Sequence, residues 1–351
     1  MTEKTALSKV KREIFRIAIR QPRSVYKRLN ITITDSFYSN FEDRLTKMQY
    51  GQIAASAKVA VYLVHQPDGI RSHSYHSLRH LISLGYAPVI VINGRHSEGE
   101  VQKLLSYGWV VIQRPNYGYD FGGYKSALSF LKNKSDPEYL LLINDSIEFP
   151  TTNQTSFIPR MENSNCDFVG IEEYSHVDIH FSGSEDYFRK LMEGKNIDQS
   201  NRHICSYLLL IKRRLLHDPV FVKFWDDFIP KSDRIYAISK GEVGLTQAII
   251  KNNITLETLV NRSEYSDYLN GLVDNELVEL CSILNTPPPI AEYLKIKSGQ
   301  YISGNIPREE LENLIFQLLL HFHSVHLFPD GLEKHFFIGI RKRKTYTLPD
   351  I

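Results

Sequence analysis

Between residues 58 and 144, four short apolar runs alternate with stretches whose apolar side chains recur at helical spacing. Few architectures accommodate that alternation. The runs are 59–65 (VAVYLVH), 87–93 (APVIVIN), 109–114 (WVVIQR) and 139–144 (YLLLIN). Between them, 74–84 places Leu78, Leu81 and Ile82 on one helical face with Gly85 as its C-cap. Ser97 and Glu100 form a capping box for a helix through Tyr107, which Gly108 ends, and a third helix is expected around 125–132. Strands apolar on both faces must be covered on both faces, so the chain is expected to be α/β, with helices flanking a sheet of parallel strands. Ligands of such sheets bind beyond the carboxyl ends of the strands. There the polar residues gather: His65, Asn93, 116–123 and Asn144-Asp145-Ser146.

After Pro150 the pattern loosens. A strand is expected at 168–172, short apolar elements at 187–192 and 205–211, and a helix at 221–228. Gly241-Glu242-Val243-Gly244-Leu245-Thr246-Gln247 leads into a helix through Lys251. Further helices are expected at 270–284 and 308–322, separated by Pro287-Pro288-Pro289. Three units follow: a basic helical extension at 1–57, the sheet domain at 58–265 and a mainly helical extension at 266–351.

Composition narrows the function classes. Of 351 residues, 42% are hydrophobic and 23% charged, which excludes a wholly disordered or fibrous chain. The longest apolar runs, such as 139–143 and 315–320, fall far short of a bilayer span. Three widely spaced cysteines make neither a disulfide framework nor a zinc pattern, and no apolar signal-peptide core is visible in the first thirty residues. A cytoplasmic setting is expected. The net charge of +2 gives no case for nucleic-acid binding, but its distribution is uneven. Residues 1–28 hold nine Lys and Arg against Glu3 and Glu13, a local +7 that leaves −5 for the rest. This segment suits either an anionic membrane surface or a solvated helix packed on the protein by Leu7, Val10, Ile14 and Ile17.

Three stretches could carry chemistry. Asn116-Tyr-Gly-Tyr-Asp-Phe-Gly-Gly-Tyr-Lys125 follows a strand and opens a helix. Gly118, Gly122 and Gly123 permit close backbone approach to a phosphate, and Asp120 offers an acceptor for a ribose hydroxyl or base N–H. The alternative is a tight connection. Asn144-Asp145-Ser146, with Glu148 beyond, ends a strand with a carboxylate suited to Mg²⁺ or Mn²⁺ on a diphosphate, or to capping the next turn. Glu242, at an expected helix start, either caps the helix or serves as a general base on an acceptor hydroxyl. His65 ends the first strand where a nucleotide could touch it; the thirteen histidines make no metal pattern.

These segments together, with HICSYLL at 203–209, resemble the rhamnan synthesis F (RgpF-like) family of bacterial polysaccharide glycosyltransferases over roughly 58–260. The resemblance implies a GT-A-like, Rossmann-type nucleotide-sugar fold and a cytoplasmic enzyme peripheral to the membrane. It would transfer a sugar, typically rhamnose from dTDP-rhamnose, to a lipid-linked or growing cell-surface glycan such as O-antigen. It implies nucleotide-sugar contacts at His65, Asn116, Gly118, Asp120, Gly122, Gly123, Lys125, Asn144, Asp145 and Ser146. His203 and Ser206 fall on the acceptor side, and Glu242 is the base of an inverting transfer. Asn144-Asp145-Ser146 stands where a metal-binding Asp-x-Asp usually sits but offers one Asp, so a divalent ion at Asp145 is possible rather than required. Rival readings are a sugar-phosphate nucleotidyltransferase and a non-catalytic nucleotide-sugar or glycan-binding scaffold.

Overall fold

The computed structural model describes residues 21–152, 156–175, 202–322 and 324–343. Their strands are β1 (Lys47–Tyr50), β2 (Lys58–Val64), β3 (Tyr86–Asn93), β4 (Val110–Arg114), β5 (Tyr139–Asn144), β6 (Ile147–Glu148), β7 (Phe168–Ser175), β8 (Arg202–Ile204), β9 (Leu208–Lys212), β10 (Leu256–Val260) and β11 (Arg341–Lys342). The four apolar runs become β2 to β5, parallel neighbours in the order β4-β3-β2-β5, and every residue of β3 is buried. The central sheet is mixed rather than parallel throughout. β9 runs antiparallel to both β5 and β7, β10 returns parallel to β7, and β1 adds an antiparallel edge on β4.

Helices cover both faces, splitting the core in two. One layer joins Leu63, Phe121, Tyr124, Trp225 and Leu245. The other joins Tyr62, Leu78, Phe149 and Ile171 to Leu277, Leu294, Leu314 and Phe328 of the C-terminal helices. The C-terminal segment thus shares its core with the sheet. Buried Glu172 of β7 ties the sheet to the C-terminal segment, accepting from the Tyr207 hydroxyl at 3.0 Å and from the Ser324 N–H at 2.7 Å.

Several boundaries differ from the sequence pattern. Within the expected N-terminal unit, the helix Gln21–Leu45 leads into β1, which pairs with β4 at the sheet's edge. The expected helix at 270–284 is two, Arg262–Gly271 and Asp274–Ile283. The three prolines begin a helix, Pro288–Ile302, instead of merely breaking one. Residues 1–20, which hold much of the basic segment, and the apolar element at 187–192 lie outside the described residues. Among those described, no helix is long and apolar enough to cross a membrane.

Candidate functional site

The carboxyl ends of β2, β3 and β5 deliver His65, Asn93, Asn144 and Asp145 to one rim, next to the Asn116–Asp120 turn that follows β4. Asn93 and Arg114 form its buried base. The Arg114 guanidinium donates to Asn93 Oδ1 at 2.8 Å, to the Tyr117 carbonyl at 2.6 Å and to the Glu42 carboxylate. Burial pulls its pKa down while Glu42 holds it up. Asn93 passes its amide N–H to the Tyr119 carbonyl at 3.1 Å, which fixes the start of the helix Tyr119–Leu131. Asn93 stands among the polar residues expected at the rim; Arg114 does not, and its signal was a charged side chain closing an apolar strand. His65 Nδ1 donates to the Asn93 carbonyl at 2.9 Å, and its Nε2 meets the exposed Asn116 amide nitrogen at 3.4 Å.

The glycines of the 116–125 stretch act differently from the expectation. Gly118 caps the helix at φ 74°, a left-handed conformation that a side chain disfavours, and its Cα faces Pro230. Gly122 and Gly123 lie inside the helix and are buried. A Cβ on Gly122 would meet the Tyr117 carbonyl oxygen at 2.1 Å, and one on Gly123 would meet the Leu63 side chain at 2.2 Å. Both are packing glycines: Gly122 lets the helix close on the Tyr117 turn, and Gly123 seats it on β2. Lys125 is also displaced from its expected role. Its ammonium caps the carbonyls of Asp226 and Phe228 at the end of the helix Pro219–Asp227, beside an apolar hollow lined by Leu131, Leu216 and Trp225.

Three carboxylates remain, each held by one oxygen. Asp120 Oδ2 accepts the Asn144 amide N–H at 2.8 Å. Asp145 Oδ2 accepts the His65 backbone N–H at 3.0 Å and the Arg343 guanidinium at 2.5 Å. Glu242 Oε1 accepts the Ser206 backbone N–H at 2.6 Å. Among the described residues, the second oxygen of each carries no hydrogen bond. Burial, then the charges of Asp145 and Glu242, push Asp120 up to about 6. Asp145 and Glu242 therefore both lie within electrostatic reach of Asp120.

Glu242 stands directly before the α-helix Val243–Lys251, as expected, but its side chain does not cap that helix. Asp233 caps the turn Arg234–Tyr236, a π-helical turn spans Ala237–Glu242, and the helix Val243–Lys251 continues from it. Asp233, not Glu242, caps this helical run. The widened turn is of a kind found often at functional sites. It brings Gly241 against Phe121, whose ring would meet a Cβ there at 2.5 Å. A glycine at 241 is thus what lets Glu242 approach the helix that carries Asp120.

The remaining assignments fare unevenly. Ser146 is exposed, and its N–H and hydroxyl both donate to Asn144 Oδ1. Ser206 is buried and contributes its backbone, the N–H to Glu242 and the carbonyl to the Tyr124 hydroxyl at 3.1 Å. His203 is buried and packs edge-on to Tyr174 at 5.6 Å, while the Ile204 N–H beside it donates to the Thr246 hydroxyl of the helix Val243–Lys251. Arg343 carried no sequence signal beyond a basic stretch near the C-terminus. Residues that could hold a divalent ion do not assemble around Asp145: among the described residues, no three His, Cys, Asp or Glu side chains group for one. Asp145 itself already faces a guanidinium, so the donor set does not fit a resident Mg²⁺ or Mn²⁺.

Comparison with known proteins places these features in a lineage. A protein of Sinorhizobium fredii named "uncharacterized protein y4gN" is 30% identical over 198 residues, covering 56% of this chain and 47% of the relative. The chain thus spans about half the length of that curated relative. The yeast mannosyltransferase Ktr4p of S. cerevisiae superposes at 8% identity and a TM-score of 0.28, covering 63% of this chain and 75% of that one. Its complex with GDP gives 9% and 0.29, covering 65% and 78%. Nothing about function follows from superpositions this loose. The model of rhamnan synthesis protein F matches residues 89–313, which contain the Asp120 turn, Asn144-Asp145-Ser146 and Glu242. The chain belongs to the rhamnan synthesis protein F (RgpF) family.

Proposed function

We propose that the protein is a glycosyltransferase of polysaccharide synthesis that takes its sugar from a nucleoside-diphosphate donor. One observation carries the reading: the buried Asp120 carboxylate feels the charges of both Asp145 and Glu242, so three carboxylates gather where the parallel strands of the sheet end, the place where ligands of such strands bind. Asp120 would hold the nucleoside, and Asp145 a hydroxyl of the donor sugar. Glu242, oriented by the Ser206 N–H, would take the acceptor proton. The acceptor oxygen forms a bond to the anomeric carbon as the bond to the phosphate oxygen breaks. The electron pair leaves on the diphosphate and the configuration inverts. Positioning and neutralisation of the departing charge supply most of the acceleration.

Membership of the family favours rhamnose, with dTDP-rhamnose as donor and a lipid-linked or growing glycan as acceptor. The charge of residues 1–28 suits attachment to the anionic inner face of the cytoplasmic membrane. A thermal-shift panel of dTDP-, UDP- and GDP-sugars, with and without Mn²⁺, tests the donor. A selective rise with dTDP-rhamnose is expected, because a ligand that binds the native state stabilises it by mass action. No shift with any of them would count against the reading. A second reading, a scaffold that binds the nucleotide sugar without turnover, is favoured by the closure of Asp145 against Arg343. It predicts binding with no release of nucleoside diphosphate.

A further inference from the structure

The C-terminal strand β11 reaches back across the molecule to the rim of the site. It pairs antiparallel with β6, Arg341 opposite Glu148 and Lys342 opposite Ile147, and the Arg343 N–H donates to the Ser146 carbonyl at 2.8 Å. Alternate residues of a strand share a face, so Arg341 and Arg343 are presented together. Their side chains end differently. Arg341 closes on Glu148 through both Nε at 2.8 Å and Nη2 at 2.7 Å. Arg343 donates to Asp145 through Nη1 alone, at 2.5 Å, and its side chain keeps 20% of its exposure against 6% for Asp145. Arg114, the third arginine touching the site's own residues, spends four of its N–H donors on Glu42, Asn93 and the Tyr117 carbonyl. A guanidinium has five N–H donors. Among the described residues, Arg343 alone of the three has most of its donors unspent.

We propose that Arg343 binds the diphosphate of the donor and stabilises the charge that develops on it as the glycosidic bond breaks. It would stand where a divalent cation stands in other nucleotide-sugar sites. This inference rests on the nucleoside-diphosphate reading above. The chemistry is that of a planar fork matched to phosphate oxygens, delivered by a backbone ladder instead of a coordinated ion. Asp145 holds the fork until the diphosphate arrives, then shares it.

Calorimetry on the whole chain with dTDP, UDP and GDP, in EDTA, tests the assignment and separates it from the reading on which it rests. If the unaltered protein binds none of the three, with or without Mn²⁺, the nucleoside-diphosphate reading itself fails. If it binds one in EDTA, Arg343→Ala is expected to weaken that nucleotide about 10- to 100-fold, as loss of a charge-assisted bond does. Arg343→Lys should recover part of the loss, and the matching nucleoside, lacking phosphates, should bind both proteins equally. Unchanged nucleotide affinity in Arg343→Ala overturns the role. So does binding that requires Mg²⁺ or Mn²⁺ and survives the substitution. The double variant Asp145→Asn with Arg343→Ala removes the buried charge left by the single change. Persistent weakness there supports a direct phosphate contact, whereas return to the original affinity would reduce Arg343 to a partner for Asp145.

Discussion

Glu242 receives the backbone N–H of Ser206 on one oxygen, at 2.6 Å, and keeps the other without a partner among the described residues. The hydrogen bond comes from the turn between β8 and β9, so a rigid backbone fixes the carboxylate while half of it remains available. Glu242→Gln keeps an oxygen for that N–H but cannot accept a proton. Turnover should fall at least about a hundredfold, with nucleoside-diphosphate affinity within a factor of about two. Single-turnover kinetics beside calorimetry check this, and retained turnover removes Glu242 from the base role.

Asp120 sets a pH dependence. Its value rises from 3.8 to about 6 because it is buried and faces Asp145 and Glu242, so the folded state favours the protonated acid. That contribution is fully present below pH 3.8 and is lost as pH rises through about 6. Asp120→Asn, which cannot ionise, should therefore be more stable than the parent above about pH 7, by up to about 3 kcal/mol, and gain little at about pH 4. Thermal melts of both proteins across that range decide it; equal slopes would show that Asp120 is not strained by its neighbours.

The seat of the site is steric. Gly122→Ala would drive a methyl into the Tyr117 carbonyl, a backbone group with nowhere to retreat. A loss of about 3 kcal/mol is expected, read as a lower denaturant midpoint with little change in slope. Gly94→Ala serves as a control for backbone strain: nothing lies within 4 Å of its Cβ, but its φ is +121°.

The helix Gln21–Leu45 is held by Glu42 on Arg114, by Tyr38 stacked on Tyr117 at 5.1 Å and by Asp35 on the Ser232 N–H at 2.7 Å. Glu42→Ala leaves a buried guanidinium without its counter-ion. Loss of about 3 kcal/mol is expected, the range for one partner of a buried pair. Hydrogen exchange should rise in Gln21–Leu45 and at the Tyr117 turn together; protection unchanged at the turn would uncouple the two.

Much of this was legible in order along the chain. Runs such as YLLLIN declare a buried strand because nothing polar interrupts them, and Ser97 with Glu100 forms the expected capping box. The polar residues at the strand ends marked the rim for the same reason: they are where apolar pattern stops. Relationships between distant segments were not legible. Nothing in IRKRK says that Arg343 will cross to Asp145, 198 residues away. Gly122 and Gly123 read as ligand-approach glycines because sequence cannot tell whether the close neighbour is a phosphate or the protein's own Tyr117 and Leu63. A π turn is likewise invisible, since it changes the hydrogen-bond step without changing composition, and so Glu242 looked like the first residue of a helix.

The span matched by the family begins at Val89, inside β3, and closes at Asn313, inside the helix Arg308–His321. It leaves out β2, which lies between β3 and β5, as well as Ser324 and β11. A fragment cut at those limits would lose the middle rib of its own scaffold and the tail that latches onto it. Kinship, in this lineage, is written on a shorter stretch than the one that must be synthesised for the molecule to stand.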